Sequence, residues 1–188
     1  MSPTRLLTSS AGRARGSAAY LERATGLVAR PCAELQEICV GAWQGLSHEE
    51  VRARFPGEYA AWVRGEDIRR GGGETYAEVA DRAGGLLERE VEAAAPGELI
   101  VAVCHGGTAR AVIASLLGLP YESWWRLAPL GNARWSVLLH TDRGFRLAEH
   151  NAGVTEPVDG SQVAAPDVEP AAEREADAGA GRAAAADI

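Results

Sequence analysis

Residues 98–120 read Glu98-Leu-Ile-Val-Ala-Val-Cys104-His105-Gly106-Gly107-Thr108-Ala-Arg-Ala-Val-Ile-Ala-Ser-Leu-Leu-Gly-Leu-Pro120. The apolar run from Leu99 to Cys104 has the length of a strand that is buried on both faces of a parallel sheet. From Thr108 onward the apolar residues recur at helical spacing, until Gly118 and Pro120 end the pattern. The stretch therefore predicts a strand, a tight turn and a helix, which is the building unit of an α/β fold.

His105 lies at the turn between this strand and this helix. Ligands of open α/β sheets collect at the carboxyl ends of the strands, and a helix N-terminus offers free N–H groups to an anion. Gly106 and Gly107 allow a ligand to approach the backbone closely. His105 is therefore a candidate phosphate ligand, and a purely structural histidine beside a buried strand is the alternative.

Composition indicates one globular domain. The chain has 188 residues, of which 46 % are hydrophobic and 24 % charged. No apolar run approaches the ~20 residues that a membrane span requires, and the first ten residues lack the pattern of a secretion signal. We therefore expect a soluble, cytoplasmic protein. Cys32, Cys39 and Cys104 are odd in number and lack metal-ligand spacing, which predicts neither disulfides nor a metal site.

The acidic charge belongs to the end of the sequence. The net charge is −7, and residues 154–188 hold eight acidic and two basic residues. This segment is rich in Ala and Pro and has no apolar periodicity, so we expect a domain over 1–153 followed by a disordered acidic tail over 154–188. Because the excess acidic charge lies in the tail and the domain has no excess of basic residues, nothing in the sequence suggests a nucleic-acid-binding face.

Two other segments carry side chains suited to phosphate chemistry. Ser9 or Ser10 predicts the cap of a helix running to about Thr25, which places Arg13 in its first turn. A cation is unfavourable there unless an anion is bound, so Arg13 indicates a phosphate site, and a solvated surface arginine is the alternative. Glu37 precedes a glycine-rich loop and is a candidate general acid, although most glutamates are merely solvated.

The remaining elements follow from capping and alternation signals. Capping boxes at Ser47 and Thr75 each begin a helix, and the second of these helices leads into the strand of residues 99–104. Two strands, Arg134–His140 and Phe145–His150, form a hairpin after Asn132, which either donates to a ligand or makes the turn. The strand–helix–strand order predicts a parallel sheet.

With these motifs in order, the chain resembles the histidine phosphatase superfamily in its phosphoglycerate-mutase-like branch. Over its whole length it is most similar to actinobacterial-type members described as glucosyl-3-phosphoglycerate phosphatases. The resemblance covers roughly residues 5–153 and is carried by Ser9-Ser10…Arg13-Ala14, Leu35-x-Glu37-x-x-x-Gly41-x-Trp43-x-Gly45-Leu46, Gly73-Glu74-Thr75 and Cys104-His105-Gly106-Gly107-Thr108.

The resemblance implies a three-layer α/β fold, with helices on both faces of a mostly parallel sheet, and hydrolysis of a small phosphorylated metabolite through a phosphohistidine. Arg13 and His105 would hold the phosphoryl oxygens, and Glu37 would protonate the leaving alcohol. Neither a metal nor another cofactor is implied, and a homodimer is common among relatives. The implied substrate-binding residues are Ser10, Glu74, Gly106, Gly107, Thr108 and Asn132.

One family motif is absent. Family members begin with a strand that ends in Arg-His-Gly and supplies the nucleophile, and the sequence contains no Arg-His-Gly. We therefore expect the family's first strand to be missing from this chain, which would leave it inactive and prone to aggregation. His105 matches the second family histidine, and His48, His140 and His150 lie in a predicted helix, a hairpin strand and a chain end.

Three explanations of the missing motif remain open. A misassigned start or a truncation is favoured, and a shortened protein that binds phosphorylated ligands without turnover is the second. Catalysis by Cys104 is disfavoured, because a thiol inside an apolar strand is expected to be inert. A phosphoglycerate mutase is disfavoured as well, because Val40 and His48 replace a tyrosine and a lysine of the mutase members.

Overall fold

The computed structural model describes residues 2–153, and the predicted acidic tail lies outside them. Five strands and five α-helices follow one another along this part of the chain. The strands are β1 (Arg5–Ser9), β2 (Arg30–Cys32), β3 (Ile100–Val103), β4 (Trp135–Thr141) and β5 (Gly144–Ala152). The helices are α1 (Gly12–Thr25), α2 (His48–Arg54), α3 (Pro56–Val63), α4 (Tyr76–Glu92) and α5 (Gly106–Leu116).

Three parallel strands form the main sheet in the order β2-β1-β3. Leu7 of β1 lies opposite Arg30 of β2 and Ala102 of β3, so the carboxyl ends of all three strands meet at one edge. The α/β class with a parallel sheet is thereby confirmed. The three-residue strand β2 has no counterpart in the predicted pattern.

Burial within the sheet differs from the prediction. Four of the five residues of β1 are buried, whereas all four residues of β3 are half-buried. The prediction that the apolar run of residues 99–104 is buried on both faces is therefore wrong. The reason is tertiary: within residues 2–153, β3 pairs with β1 alone, whereas β1 is covered by strands on both sides.

Helices α4 and α5 carry the apolar residues that close the core. Leu7 and Cys32 of the sheet pack against Ala83, Leu86 and Val112 of these two helices. A second cluster joins α4 and α5 to Trp124, in the short 3-10 helix Tyr121–Arg126. The helical spacing predicted for both segments is thus confirmed.

The helix termini confirm two of three predicted caps. Ser47 and Thr75 each form a complete capping box, with Glu50 and Glu78 respectively. The cap predicted for α1 is wrong, because α1 begins at Gly12 after Ala11 and no side chain caps it. The buried Ser9 hydroxyl accepts from the N–H of Ala11 at 3.3 Å, just before the helix, and also contacts His105.

Strands β4 and β5 form an antiparallel pair separate from the main sheet. The hairpin predicted from alternation is confirmed, and both strands extend slightly beyond their predicted ends. Within residues 2–153, no helix is long and apolar enough to cross a membrane.

Candidate active site

The candidate site lies where helix α5 begins, at the carboxyl edge of the main sheet. Because β1 and β3 are parallel neighbours, the residues that follow them emerge side by side, and Thr8 is opposite Val103. Ser9 therefore lies beside His105, although the two are separated by 96 positions in sequence. The loop after β2 supplies Glu37 to the same place.

His105 occupies the position before the first residue of α5 in an extended backbone conformation, its side chain does not cap the helix, and it is buried. Its Nε2 atom is 2.8 Å from the hydroxyl oxygen of Ser9, which is fully buried. Burial lowers the pKa of the His105 imidazole, Arg13 and Arg82 add to that effect, and Glu37 opposes it. The ring is thus held neutral and oriented by Ser9, a contact that the sequence analysis did not identify.

Glu37 places its carboxylate on the N-terminus of α5. Oε1 accepts from the N–H of Thr108 at 2.9 Å and from its hydroxyl at 3.0 Å, and Oε2 accepts from the N–H of Gly107 at 3.2 Å. Its own neighbour Ile38 donates to Oε1 at 2.9 Å. A negative side chain is favourable at a helix N-terminus, so the group that occupies this anion position is a carboxylate of the chain itself.

Several of the residues predicted to bind substrate are therefore in contact with other residues of the chain. The N–H groups of Gly107 and Thr108 donate to Glu37. A Cβ added at Gly106 would lie 3.1 Å from the carbonyl oxygen of Leu130, so this glycine is needed for a close approach of two backbones. Their role in binding a substrate stays a prediction.

Arg13 lies in the first turn of α1, as predicted, and its side chain is exposed. Its positive charge helps to lower the pKa of the His105 imidazole. Ser10 accepts a hydrogen bond from the amide of Gln36 at 2.7 Å and so links β1 to the Glu37 loop. The structure brings Arg13, Glu37 and His105 together around the start of α5.

Arg82 of α4 fixes the loop that carries Glu37. Its guanidinium donates to both carboxylate oxygens of Glu74, at 2.7 and 2.9 Å. It also donates to the backbone carbonyls of Glu34, Gln36 and Glu37 at 2.5, 2.9 and 3.3 Å. Hydrogen bonding to Arg82 lowers the pKa of Glu74, so this pair remains charged.

Glu74, a predicted substrate ligand, is thereby engaged with the protein. Besides binding Arg82, its Oε2 accepts from the N–H of Cys39 at 2.9 Å, while its own N–H donates to the Cys39 carbonyl at 2.7 Å. A Cβ at Gly73 would overlap that carbonyl oxygen. The two loops are therefore in direct backbone contact. Glu74 supports the position of Glu37 through Arg82, which binds both residues.

Asn132 lies in a turn outside α5, whereas Cys104 directly precedes His105. Asn132 is exposed in the turn before β4, two residues after the Leu130 carbonyl that faces Gly106, and its proposed role stays a prediction. Burial raises the pKa of the Cys104 thiol to about 12, and the nearby Glu37 carboxylate adds to the shift. The thiol is therefore protonated at neutral pH, which agrees with the expected inert cysteine.

The described residues also contain no group of three or more His, Cys, Asp or Glu side chains that could hold a metal ion.

Comparison with known proteins gives one consistent assignment. Residues 1–153 match the model of the histidine phosphatase superfamily (branch 1). Over 143 residues the chain is 36 % identical to a Mycobacterium tuberculosis protein named glucosyl-3-phosphoglycerate phosphatase, an alignment that covers 72 % of this chain and 64 % of that protein. It is 33 % identical over 108 residues to phosphoserine phosphatase 1 of Hydrogenobacter thermophilus, covering 57 % of this chain and 50 % of that one.

A solved structure shares the fold. The mycobacterial glucosyl-3-phosphoglycerate phosphatase in complex with inorganic phosphate superposes with a TM-score of 0.71 at 34 % identity, covering 80 % of this chain and 78 % of that one. The chain thus spans a little less than two thirds of the length of the curated mycobacterial relative.

Proposed function

Because this chain belongs to branch 1 of the histidine phosphatase superfamily, we propose that it carries the proton donor and the supporting histidine of a phosphomonoesterase. One observation carries the proposal: the Glu37 carboxylate is hydrogen-bonded to the α5 backbone two and three residues after His105. A general acid has to lie within reach of the bond that it helps to break. The position of Glu37 beside a histidine and near Arg13 supports that role.

The proposed reaction has two steps. In the first, a histidine nitrogen attacks phosphorus, the bond to the ester oxygen breaks, and Glu37 gives its proton to the leaving oxygen. In the second, water attacks the phosphohistidine while Glu37 takes the proton of that water, so that phosphate and free histidine are formed. Arg13 and His105 stabilise the negative charge on the phosphoryl oxygens throughout.

We propose that none of the other three histidines, His48, His140 and His150, supplies the attacking nitrogen at this place. His48 packs against the rings of Tyr59 and Trp62, and His140 packs against Phe145 in the hairpin. Both ring nitrogens of His150 are engaged, by the Ser136 hydroxyl and the Ala128 carbonyl. We propose that the 188-residue chain does not turn over phosphate esters by itself and requires a strand bearing Arg-His-Gly.

Hydrolysis of p-nitrophenyl phosphate tests this proposal. The 188-residue protein is compared with a chimera in which the residues that precede the aligned segment of the mycobacterial relative are fused to its N-terminus. We expect turnover by the chimera alone, and loss of most of it in the His105→Ala variant. Turnover by the pure 188-residue protein, or a normal rate in the His105→Ala chimera, would contradict the assignment.

The role of Glu37 is tested with two leaving groups in the same chimera. p-Nitrophenolate departs without a proton, whereas an alkoxide such as that of glycerol 3-phosphate requires one. Glu37→Gln should therefore slow hydrolysis of the alkyl ester much more than that of the aryl ester. An equal effect on both esters would show that Glu37 acts only by holding the start of α5.

A phosphoester-binding protein without turnover is the second candidate function. It is favoured by the same carboxylate, because Glu37 already occupies the N–H groups that a transferring phosphoryl group would need. Titration of the 188-residue chain with inorganic phosphate and with vanadate separates the two functions. Binding without turnover, in both the chain and the chimera, would favour this candidate.

The substrate is proposed as a small phosphorylated metabolite, in keeping with the names of the relatives. A homodimer, a cytoplasmic location, and the division into a domain over 1–153 and a tail over 154–188 stay predictions.

A further inference from the structure

The hydroxyl of Thr108 faces two hydrogen-bond acceptors and has one proton to donate. Thr108 is the third residue of α5 and is fully buried. Its Oγ1 atom lies 2.8 Å from the carbonyl oxygen of Gln36 and 3.0 Å from Oε1 of Glu37. Both neighbours are acceptors when Glu37 is ionised, whereas a hydroxyl carries a single donor proton. A full hydrogen bond can therefore be made to only one of them at a time.

The charge on Glu37 decides which acceptor is preferred. A hydrogen bond to an ionised carboxylate is roughly twice as strong as one between neutral groups. With Glu37 ionised, the Thr108 hydroxyl therefore donates to Oε1. Once Glu37 is protonated, that advantage is lost, and the carbonyl of Gln36, which is the shorter contact, becomes the better acceptor.

The Gln36 carbonyl can release Thr108 without losing its last partner. Nη1 of Arg82 donates to the same carbonyl oxygen at 2.9 Å. A carbonyl oxygen has two lone pairs, so it accepts both hydrogen bonds and keeps the one from Arg82 when the hydroxyl turns away. The exchange needs only rotation of the hydroxyl hydrogen about the Cβ–Oγ1 bond. Neither acceptor is thereby left buried and unsatisfied, which would be costly.

The two oxygens of Glu37 are not equivalent. Oε1 accepts from the N–H groups of Ile38 and Thr108, both at 2.9 Å, in addition to the Thr108 hydroxyl. Oε2 accepts from the N–H of Gly107 at the longer distance of 3.2 Å. A proton on Oε1 would face three donors, whereas Oε2 keeps a lone pair available. The proton that Glu37 transfers is therefore carried by Oε2.

Other charged groups lie close enough to matter for the titration of Glu37. They come from α1, from α4 and the loop before it, and from the turn before α5, and are Arg13, Arg82, Glu74, Cys104 and His105. The arginines stay charged and the Cys104 thiol stays protonated at and below neutral pH. A test of the exchange therefore has to separate Glu37 from His105 and Glu74.

We propose that Thr108 is a positioning residue that holds Glu37 in both protonation states, by turning its hydroxyl hydrogen between Oε1 of Glu37 and the carbonyl of Gln36. The inference rests on the proposed function, in which Glu37 gives up a proton in the first step and takes one in the second. No bond of Thr108 breaks, because the hydrogen stays on Oγ1. The carboxyl group keeps its place while its charge changes.

Nuclear magnetic resonance of the 188-residue protein tests the exchange at the Gln36 carbonyl. The dipeptide Gln36-Glu37 is the one Gln-Glu pair in the sequence, so carbonyl-13C glutamine combined with 15N glutamate gives a single carbonyl signal. A carbonyl carbon moves to higher frequency when it accepts a further hydrogen bond. We expect this shift as the pH is lowered from neutral and Glu37 takes up a proton.

Four variants identify the groups responsible. Thr108→Ser keeps the hydroxyl and should keep the shift, whereas the nearly isosteric Thr108→Val should lose it although its Glu37 still takes up a proton. Glu37→Gln should lose the shift as well, because its side chain cannot ionise. Thr25→Val is the matched control, since the Thr25 hydroxyl donates to the Leu21 carbonyl on the exposed side of α1, and it should leave the shift unchanged.

The outcomes separate this inference from the proposed function. A Gln36 carbonyl signal that does not respond to pH in the wild-type protein would overturn the exchange, whether or not Thr108→Val folds. A full response in folded Thr108→Val would overturn it too, and a full response in Glu37→Gln would assign the shift to His105 or Glu74 instead. The expected responses in a chain whose chimera hydrolyses no ester would support the exchange and refute the proposed function.

Discussion

Replacement of Arg82 by methionine tests how the candidate acid is held in place. One guanidinium makes five hydrogen bonds, to the Glu74 carboxylate and to three backbone carbonyls of the segment that ends at Glu37. Methionine keeps much of the apolar stem, which limits the loss of packing. The change therefore removes the polar anchor and leaves the Glu74 carboxylate without its cation.

The structure allows an estimate of the effect on stability. Removing one partner of a buried ion pair costs about 3–5 kcal/mol, since the other charge is left without compensation. The side chains of Arg82 and Glu74 are 22 % and 27 % exposed, so water can replace part of what is lost. We expect the free energy of unfolding to fall by about 2–4 kcal/mol.

Urea titration followed by tryptophan fluorescence measures this loss, because Trp43 and Trp124 are both buried. Arg89→Met is the matched control in the same helix, since Arg89 lies 3.9 Å from Glu34 with the two side chains 63 % and 42 % exposed. An exposed pair of this kind should contribute less than about 1 kcal/mol. If Arg82→Met loses no more than Arg89→Met, the guanidinium does not anchor the loop.

The pH dependence provides an independent check. Hydrogen bonding to Arg82 holds the pKa of folded Glu74 below its ordinary value of 4.5. A carboxyl whose pKa is lowered by folding stabilises the protein above its unfolded pKa, and this stabilisation disappears as the pH falls through the folded value. The difference between wild type and Arg82→Met should therefore narrow on acidification below that ordinary value. A constant difference would show that packing, and not the ion pair, is responsible.

Three further predictions concern other parts of the site and its support. Gly73→Ala should destabilise the protein by about 1–3 kcal/mol, because the added Cβ overlaps the Cys39 carbonyl. Gly16→Ala in α1 should stabilise it by about 0.5–1 kcal/mol, because nothing lies within 4 Å of the added Cβ. The melting temperatures of the two variants should therefore shift in opposite directions. Iodoacetamide at mildly alkaline pH should modify the exposed Cys39 and leave Cys104 intact until urea is added, because burial raises the pKa of Cys104 to about 12. Peptide mass spectrometry measures the modification at each cysteine. Modification of Cys104 in the native protein would refute this prediction. Ser9→Ala should cost about 1–3 kcal/mol in a urea titration, since the buried His105 ring loses its partner, and a neutral result would mean that the contact does not orient the ring.

Signals that lie within a few residues of one another were readable from the sequence. The change from an apolar run to helical spacing around His105 predicts β3 and α5, and the pairs Ser47–Glu50 and Thr75–Glu78 predict two helix starts. Each of these signals is set by local backbone geometry. They place His105 at the start of a helix and Arg13 in the first turn of another, whereas a shared site with Glu37 is implied only by the resemblance to the family.

Features that depend on distant contacts were not readable in this way. The local pattern predicts that Ser9 caps a helix, whereas its contact with His105 exists only once β1 and β3 are paired. Arg82 resembles any arginine at the border of the apolar stripe of α4, and only the fold brings the Glu37 loop against it. The half-burial of β3 likewise depends on which strands flank it, and its composition carries no information on that point.

The pairing of β1 with β3 has a consequence for how the chain reaches its native state. Ser9 and His105 are 96 positions apart, and the hydrogen bonds of Arg82 to the Glu37 loop span 45 to 48 positions. Closing such long loops carries an entropic cost before any contact repays it, and chains rich in distant contacts fold slowly. We therefore expect the candidate site to be assembled late in folding, so that ligand affinity during refolding rises together with formation of the sheet, after the α4 and α5 helices have formed.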